Sequence, residues 1–252
     1  MSRTYKVIFF GLLLLSFFLL PNATFSAVPL EVLSPPEKIV ASLPEIDLIF
    51  KVNTARDAEI NIKVNGKLLA GDKSQTGNFH YTLGLKPGLN TIVISNYEEG
   101  GIRYTKELQV FYRTRDQAAE NIQPFRVFYP HGISRKIHCS DCHDSRASGP
   151  DKFTMNRRID IVCYKCHEDF TKKAYLHGPL GAGECNVCHN PHGSDRPALL
   201  NDEESTLCFI CHEKKLSEVH FRKMKERTGG ASDRNCVACH DPHASSKLFQ
   251  LK

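Results

Sequence analysis

The sequence predicts a two-domain protein: an N-terminal antiparallel β-sandwich over residues 28–115, a linker at 116–130, and a C-terminal domain of short helices and loops over 131–252. Two observations predict it. Up to residue 113 the chain has no cysteine, and short runs of alternating apolar and polar residues are separated by Gly and Pro turns. From His131 onward the character changes. All ten cysteines lie in this half, in pairs, and each pair is followed by a histidine.

Residues 1–27 read as a secretory signal. Arg3 and Lys6 form a positive start, and Val7 to Leu20 is an apolar run of 14 residues closed by Pro21. A membrane span needs about 20 residues, so the run suits a signal better than a span. Cleavage is expected after Ser26 or Ala27. Membrane association is expected only if this segment stays uncleaved. In either case the chain matures outside the cytoplasm, on the periplasmic or cell-surface side.

The sandwich is read strand by strand. Ile46 to Val52 places apolar residues at alternate positions, with Ile49 as an extra, and Ala58 to Val64 alternates cleanly. Asn65-Gly66 follows at once, the strongest short signal for a hairpin turn. Phe79 to Leu85 alternates loosely before the turn Lys86-Pro87-Gly88. Asn90 to Ile94 is strand-like, Glu99-Gly100-Gly101 turns the chain, and Tyr104 to Tyr112 closes the set. Short strands between such turns predict a sandwich. The segment resembles bacterial immunoglobulin-like domains at Ile62 to Lys67, Gly77-Asn78-Phe79 and Leu85 to Ile92. That resemblance implies a spacer or docking module with no catalytic residues, and His80 is expected to be a strand-face residue.

The C-terminal half carries five motifs: Cys139-x-x-Cys142-His143, Cys163-x-x-Cys166-His167, Cys185-x-x-Cys188-His189, Cys208-x-x-Cys211-His212 and Cys236-x-x-Cys239-His240. Cysteines three apart share one face of a helical turn. They suit thioether bonds to two vinyl groups along one side of a porphyrin, with the next histidine under the iron. Zinc ribbons do not need a histidine at that offset in every copy. A disulfide framework would not fix one five times. The expected cofactor is therefore five haem c groups, with His143, His167, His189, His212 and His240 as proximal ligands. Residues 131–252 leave too little chain for an apolar core around five macrocycles, so the haems themselves become much of the core. Two ionised propionates on each haem would outweigh the formal charge of +5, which argues against nucleic-acid binding. The basic side chains suit pairing with propionates and carboxylates instead.

An internal repeat sorts the remaining histidines. His131-Gly132 precedes Cys139 by eight residues, and His177-Gly178 precedes Cys185 by the same eight. The third motif continues as Asn190-Pro191-His192 and the fifth as Asp241-Pro242-His243, whereas Arg146 holds that place after the first. Motifs one and two form one unit, three and four the next, and five begins a third, with His220 in its leading place. His131, His177, His192, His220 and His243 are the expected distal ligands, with His138 as a substitute. Met155 and Met224 compete as axial ligands, and Met224 lies in a charged stretch expected to be helical. Which histidine serves which iron cannot be read from sequence.

This half resembles multihaem cytochromes of the doubled Cys-x-x-Cys-His type, related to the cytochrome c3 and decahaem electron-conduit families. The resemblance covers residues 131–252 and is most specific from His177-Gly178-Pro179 to Ser194 and at Ala198-Leu199-Leu200. It implies bis-His haems stacked in a chain on short helices and loops, and motif spacings of 22 to 28 residues force neighbouring haems together. The expected function is electron transfer between redox proteins outside the cytoplasm, such as a membrane quinol-oxidising complex or an outer-membrane electron conduit. The alternative is a multihaem reductase of a small oxyanion, which needs one iron with an open position.

Overall fold

The structure is a computed structural model that describes residues 30–53, 58–74, 77–98, 101–116, 122–131, 137–144, 153–155, 157–228 and 236–252. The expected signal segment and its cleavage sites, Glu99, Gly100, Gly132 and Arg146 lie outside the described residues.

The N-terminal strands are β1 (Leu30–Ser34), β2 (Lys38–Ala41), β3 (Glu45–Val52), β4 (Ala58–Val64), β5 (Lys67–Ser74), β6 (Gly77–Gly84), β7 (Gly88–Glu98), β8 (Gly101–Tyr112) and β9 (Arg126–Val127). They form a three-stranded sheet in the order β1-β3-β6 and a six-stranded sheet in the order β5-β4-β7-β8-β2-β9. Asn65 and Gly66 have φ of 51° and 80°. Positive φ at both central residues is what a two-residue hairpin loop demands, and this turn folds β5 back onto β4. The next turn is held from inside. The buried Asn90 side chain donates to the carbonyls of Lys86 and Gly88 at 2.7 and 3.0 Å, and its Oδ1 accepts from the Lys86 amide at 3.0 Å. A buried amide must find such partners, and here they fix the entry to β7.

Alternation selects the face that is buried. In β3, Ile46, Leu48, Phe50 and Val52 point inward, while Ile49 is half-buried on the other face. They meet Ile60 and Ile62 of β4, Ile92 and Ile94 of β7, and Leu108 and Val110 of β8 in one apolar cluster between the sheets. Phe50 stacks on Phe79 with ring centroids 5.2 Å apart. Each such side chain contributes about 1.5–3 kcal/mol on full burial.

The antiparallel order changes at one end. β2 runs parallel to β8, pairing Ile39 with Val110, and β9 runs parallel to β2, pairing Val40 with Val127. The stretch expected to link the halves thus adds a strand, and Phe128 beyond it is buried in the same cluster. A two-residue strand has no periodicity for sequence reading to detect.

The C-terminal half is built from short pieces: α1 (Ile159–Cys163), β10 (Tyr175–Leu176), α2 (Gly178–Gly181), α3 (Glu204–Phe209), α4 (Lys214–Thr228) and β11 (Ala244–Ser245). Among the described residues after Phe128, Val162 and Ala244 are the only buried hydrophobic side chains. Among the described residues no helix is long and apolar enough to cross a membrane.

Candidate haem centres

Each cysteine pair lies on one helical turn. The amide of the motif histidine donates to the carbonyl of the first cysteine in all five, at 2.8 Å for His143, 2.9 Å for His167, 3.1 Å for His189, 2.9 Å for His212 and 2.9 Å for His240. This i to i+4 closure sets the two thiols and the imidazole of a motif on neighbouring positions of one turn.

The motifs also approach one another in sequence order. The Cys185 thiol lies close enough to Cys163 to push its thiol up, and Cys236 acts in the same way on Cys208. Burial first, and then the neighbouring Cys185, pushes the Cys163 thiol up to about 12. Cys142 lies within electrostatic reach of Cys166, and Cys188 within reach of Cys211. Second cysteines approach each other within a unit and first cysteines between units, and within a unit Cys142 also reaches Cys163, as Cys188 reaches Cys208. No group of three or more His, Cys, Asp or Glu converges as a metal cage among the described residues.

The histidines pair across the motifs. His143 faces His192 with ring centroids 6.0 Å apart and planes 21° from parallel. His167 faces His131 at 6.1 Å and 12°. His189 faces His243 at 5.8 Å and 18°, and His212 faces His177 at 6.0 Å and 10°. His240 and His220 lie at 6.1 Å with planes at 56°. Direct stacking would bring two rings closer than this. The separation matches two imidazoles on opposite sides of one metal ion, each with a nitrogen–metal bond of about 2 Å. The residues present therefore fit an axially ligated iron.

Burial and then the facing ring hold His131, His192 and His243 below the usual imidazole range, His192 down to about 4. The neutral ring keeps the lone pair that a metal needs. His138 takes the N-cap position of its own motif's turn, with its amide donating to Asp141 Oδ2 at 2.8 Å. His80 sits on β6 and bonds Asp47 at 2.8 Å. The backbone of Met155 bridges that of His143, and the Met224 side chain lies outside the described residues.

The pairing follows a rule across units. The leading histidines His131 and His177 face the second motif of their own unit. The Asx-Pro-His rings reach back one unit instead, His192 to the first motif and His243 to the third. Backbone contacts run the same way. Tyr129 and Ser194 exchange two amide bonds at 2.7 and 3.1 Å, β10 pairs with β11, and the His177 amide donates to the His243 carbonyl at 2.9 Å.

The loop after the third motif recurs after the fifth. Asn190 Oδ1 accepts the His192 amide at 3.0 Å, and Asp241 Oδ1 accepts the His243 amide at 2.9 Å. Ser194 Oγ donates to the Leu200 carbonyl, and Ser245 Oγ to that of Leu251. The Nδ1–H of His189 donates to the Ala198 carbonyl at 2.8 Å, and that of His240 to the Phe249 carbonyl at 2.8 Å. Such a bond fixes the tautomer and turns the Nε2 lone pair outward. It is reached through left-handed backbone at Ala198, Leu199, Phe249 and Gln250, with φ between 55° and 60°. That conformation costs roughly 1–2 kcal/mol for each non-glycine residue. No glycine or asparagine marks it, so sequence reading missed these carbonyls. The repeated Asx-Pro-His-x-Ser was the signal available. His143 Nδ1 is buried without a partner among the described residues.

The same third-motif loop docks on the sandwich. Asn190 Nδ2 donates to the Leu33 carbonyl at 2.9 Å, and Ser34 Oγ to the His192 carbonyl at 3.2 Å. Gly193 has φ of +115°, and a Cβ there would lie 2.5 Å from Phe128 Cζ. Arg126 of β9 reaches Asp195 and Glu203 at 3.7 and 3.4 Å.

A domain in which one-turn cysteine–histidine motifs hold imidazole pairs an iron's width apart is a c-type haem domain by architecture. Residues 131–172 and 177–217 each match the family model described as Doubled CXXCH motif, which divides the chain at the same place as the repeat. The chain is 34% identical over 123 residues to Multiheme cytochrome MtrA of Shewanella baltica (strain OS185), covering 43% of this chain and 36% of that protein. It thus spans about a third of the length of that relative. The C-terminal half is that of a multihaem c-type cytochrome. The fibronectin(III)-like modules of Clostridium thermocellum CbhA match 34% of this chain and 96% of theirs, at 12% identity and a TM-score of 0.28.

Proposed function

We propose that this protein is an electron carrier with five covalent haem c groups, one on each Cys-x-x-Cys-His motif. Each iron is held between two histidines: His143 with His192, His167 with His131, His189 with His243, His212 with His177, and His240 with His220. The observation that carries this reading is the set of five imidazole pairs at 5.8–6.1 Å, each joining one motif histidine to one outside the motifs. When bound, the haems supply reversible one-electron chemistry at low potential, as bis-His ligation favours. The chain's own residues fix their order. Cysteines of successive motifs lie within electrostatic reach of one another, so in this reading electrons pass along the row in the order of the sequence.

With every motif histidine matched, electron transfer is favoured over reduction of an oxyanion as the resting activity. The partners in this reading are redox proteins outside the cytoplasm, either a membrane quinol-oxidising complex or an outer-membrane electron conduit, and nucleic acid is not among them. The sandwich serves as spacer and docking module. The test is a haem-to-protein ratio with a ligation spectrum of the oxidised, purified protein. The expected result is five haems per chain, all low-spin. A lower ratio or a high-spin resting iron overturns the assignment.

A further inference from the structure

Four of the five imidazole pairs are built alike, and the fifth is not. In the four, the histidine outside the motif sits on backbone tied down by a neighbouring strand, bridge or side chain. His131 follows the Tyr129–Ser194 bridge, and His177 donates its amide to His243. His192 and His243 are held by the Asn190 and Asp241 side chains. Their planes lie within 10–21° of those of their partners. His220 occupies the leading place of its unit, where the other two units put their leading histidine just after a backbone contact with the next unit. Here that place falls inside α4. The ring is exposed and turned 56° from His240, with Phe221 edge-on at 5.9 Å.

α4 offers little to hold that ring in place. Among its described side chains none is buried, and Val219 and Phe221 are half-buried. A helix of this length is marginal in water without a packed face. The iron bond to His220 would therefore be a principal tether of α4, and breaking it forfeits little packing. The same helix exposes Lys215, Arg222, Lys223 and Lys225 against Glu218 and Glu226, and this positive balance raises the local concentration of an approaching anion.

We propose that the iron facing His240 is a ligand-exchange site, at which His220 gives way to a small anion. The imidazole nitrogen leaves with its lone pair, a lone pair of the anion forms the new bond, and no electron changes hands. The other four irons keep both histidines. This inference rests on the five-pair reading above, and it gives the fifth motif a place where a substrate-sized anion meets the wire.

The test uses the oxidised, fully haem-loaded protein and cyanide as the probe, read by electron paramagnetic resonance. The largest g value of a bis-His haem rises as its imidazole planes turn away from parallel, so the fifth haem carries the highest. On titration that component is expected to disappear first while the other four persist. His220→Gly is expected to bind cyanide at least about tenfold tighter, because an intramolecular competitor at millimolar effective concentration is gone. Free imidazole should restore the variant to a low-spin state. Cyanide binding first at a haem with near-parallel rings, or no change at any haem, overturns the inference while leaving the five pairs standing. A high-spin iron before cyanide is added overturns the five-pair reading and this inference with it.

Discussion

At the scale of single residues, the chemistry depends on rings brought together from distant parts of the chain. His192 illustrates it. Its amide is held by Asn190, its carbonyl accepts from Ser34, and its ring faces His143 from a motif one unit earlier. His192→Ala is therefore expected to leave one haem in five high-spin, and that haem is the one on Cys139 and Cys142. Magnetic circular dichroism combined with a His143→Met variant would assign it. Loss at the third motif instead would refute the back-reaching pairing. His189 and His240 show a second residue-level device, because a backbone carbonyl bought at the cost of left-handed alanine and phenylalanine selects the tautomer.

At the scale of elements, the loop from Asn190 to Asp195 is where the two halves meet. Gly193 requires a positive φ and lies against Phe128, so a side chain meets both backbone strain and the ring. Gly193→Ala is expected to destabilise the joint by about 1–3 kcal/mol. Because the loop carries His192, it should also lower the midpoint at which the first haem loses its distal ligand in denaturant. Visible spectra recorded during unfolding would read this, and an unchanged midpoint would count against coupling between loop and ligand. In the sandwich, Leu108 is fully buried between the sheets. Leu108→Ala is expected to cost about 2–5 kcal/mol in chemical denaturation, without altering the haem spectrum of the folded protein.

For the whole molecule, the two halves draw cohesion from different sources. The sandwich has an apolar cluster of its own, whereas the C-terminal half has few buried hydrophobic side chains among its described residues. The first is expected to fold without haem and the second is not. Since β9 and Phe128 complete the sheet and its core, a haem-free fragment ending at residue 130 should unfold cooperatively. It should do so at higher denaturant than one ending at residue 115. Circular dichroism of both fragments tests this, and equal midpoints would show that residues 126–128 add nothing to the sandwich.

The strands were legible wherever alternation was long enough. Ile46 to Val52 and Ala58 to Val64 announce a buried face, and Asn65-Gly66 announces its turn. β2 and β9 were not legible, because they are too short to show a period and pair in parallel with partners distant in sequence. The motif cysteines and histidines were equally plain, since their spacing is local to one helical turn. The histidines outside the motifs could be gathered from the repeat but not matched to partners, because a repeat records what recurs and not what it touches.

The sequence by itself determined the class of protein, five one-turn motifs behind a strand-rich domain, because both are written in spacings of a few residues. Only the tertiary structure decided which rings face each other, that the Asx-Pro-His loops reach back one unit, and that one of those loops is clasped by the sandwich. Those outcomes depend on contacts between segments far apart along the chain, where local periodicity carries no information.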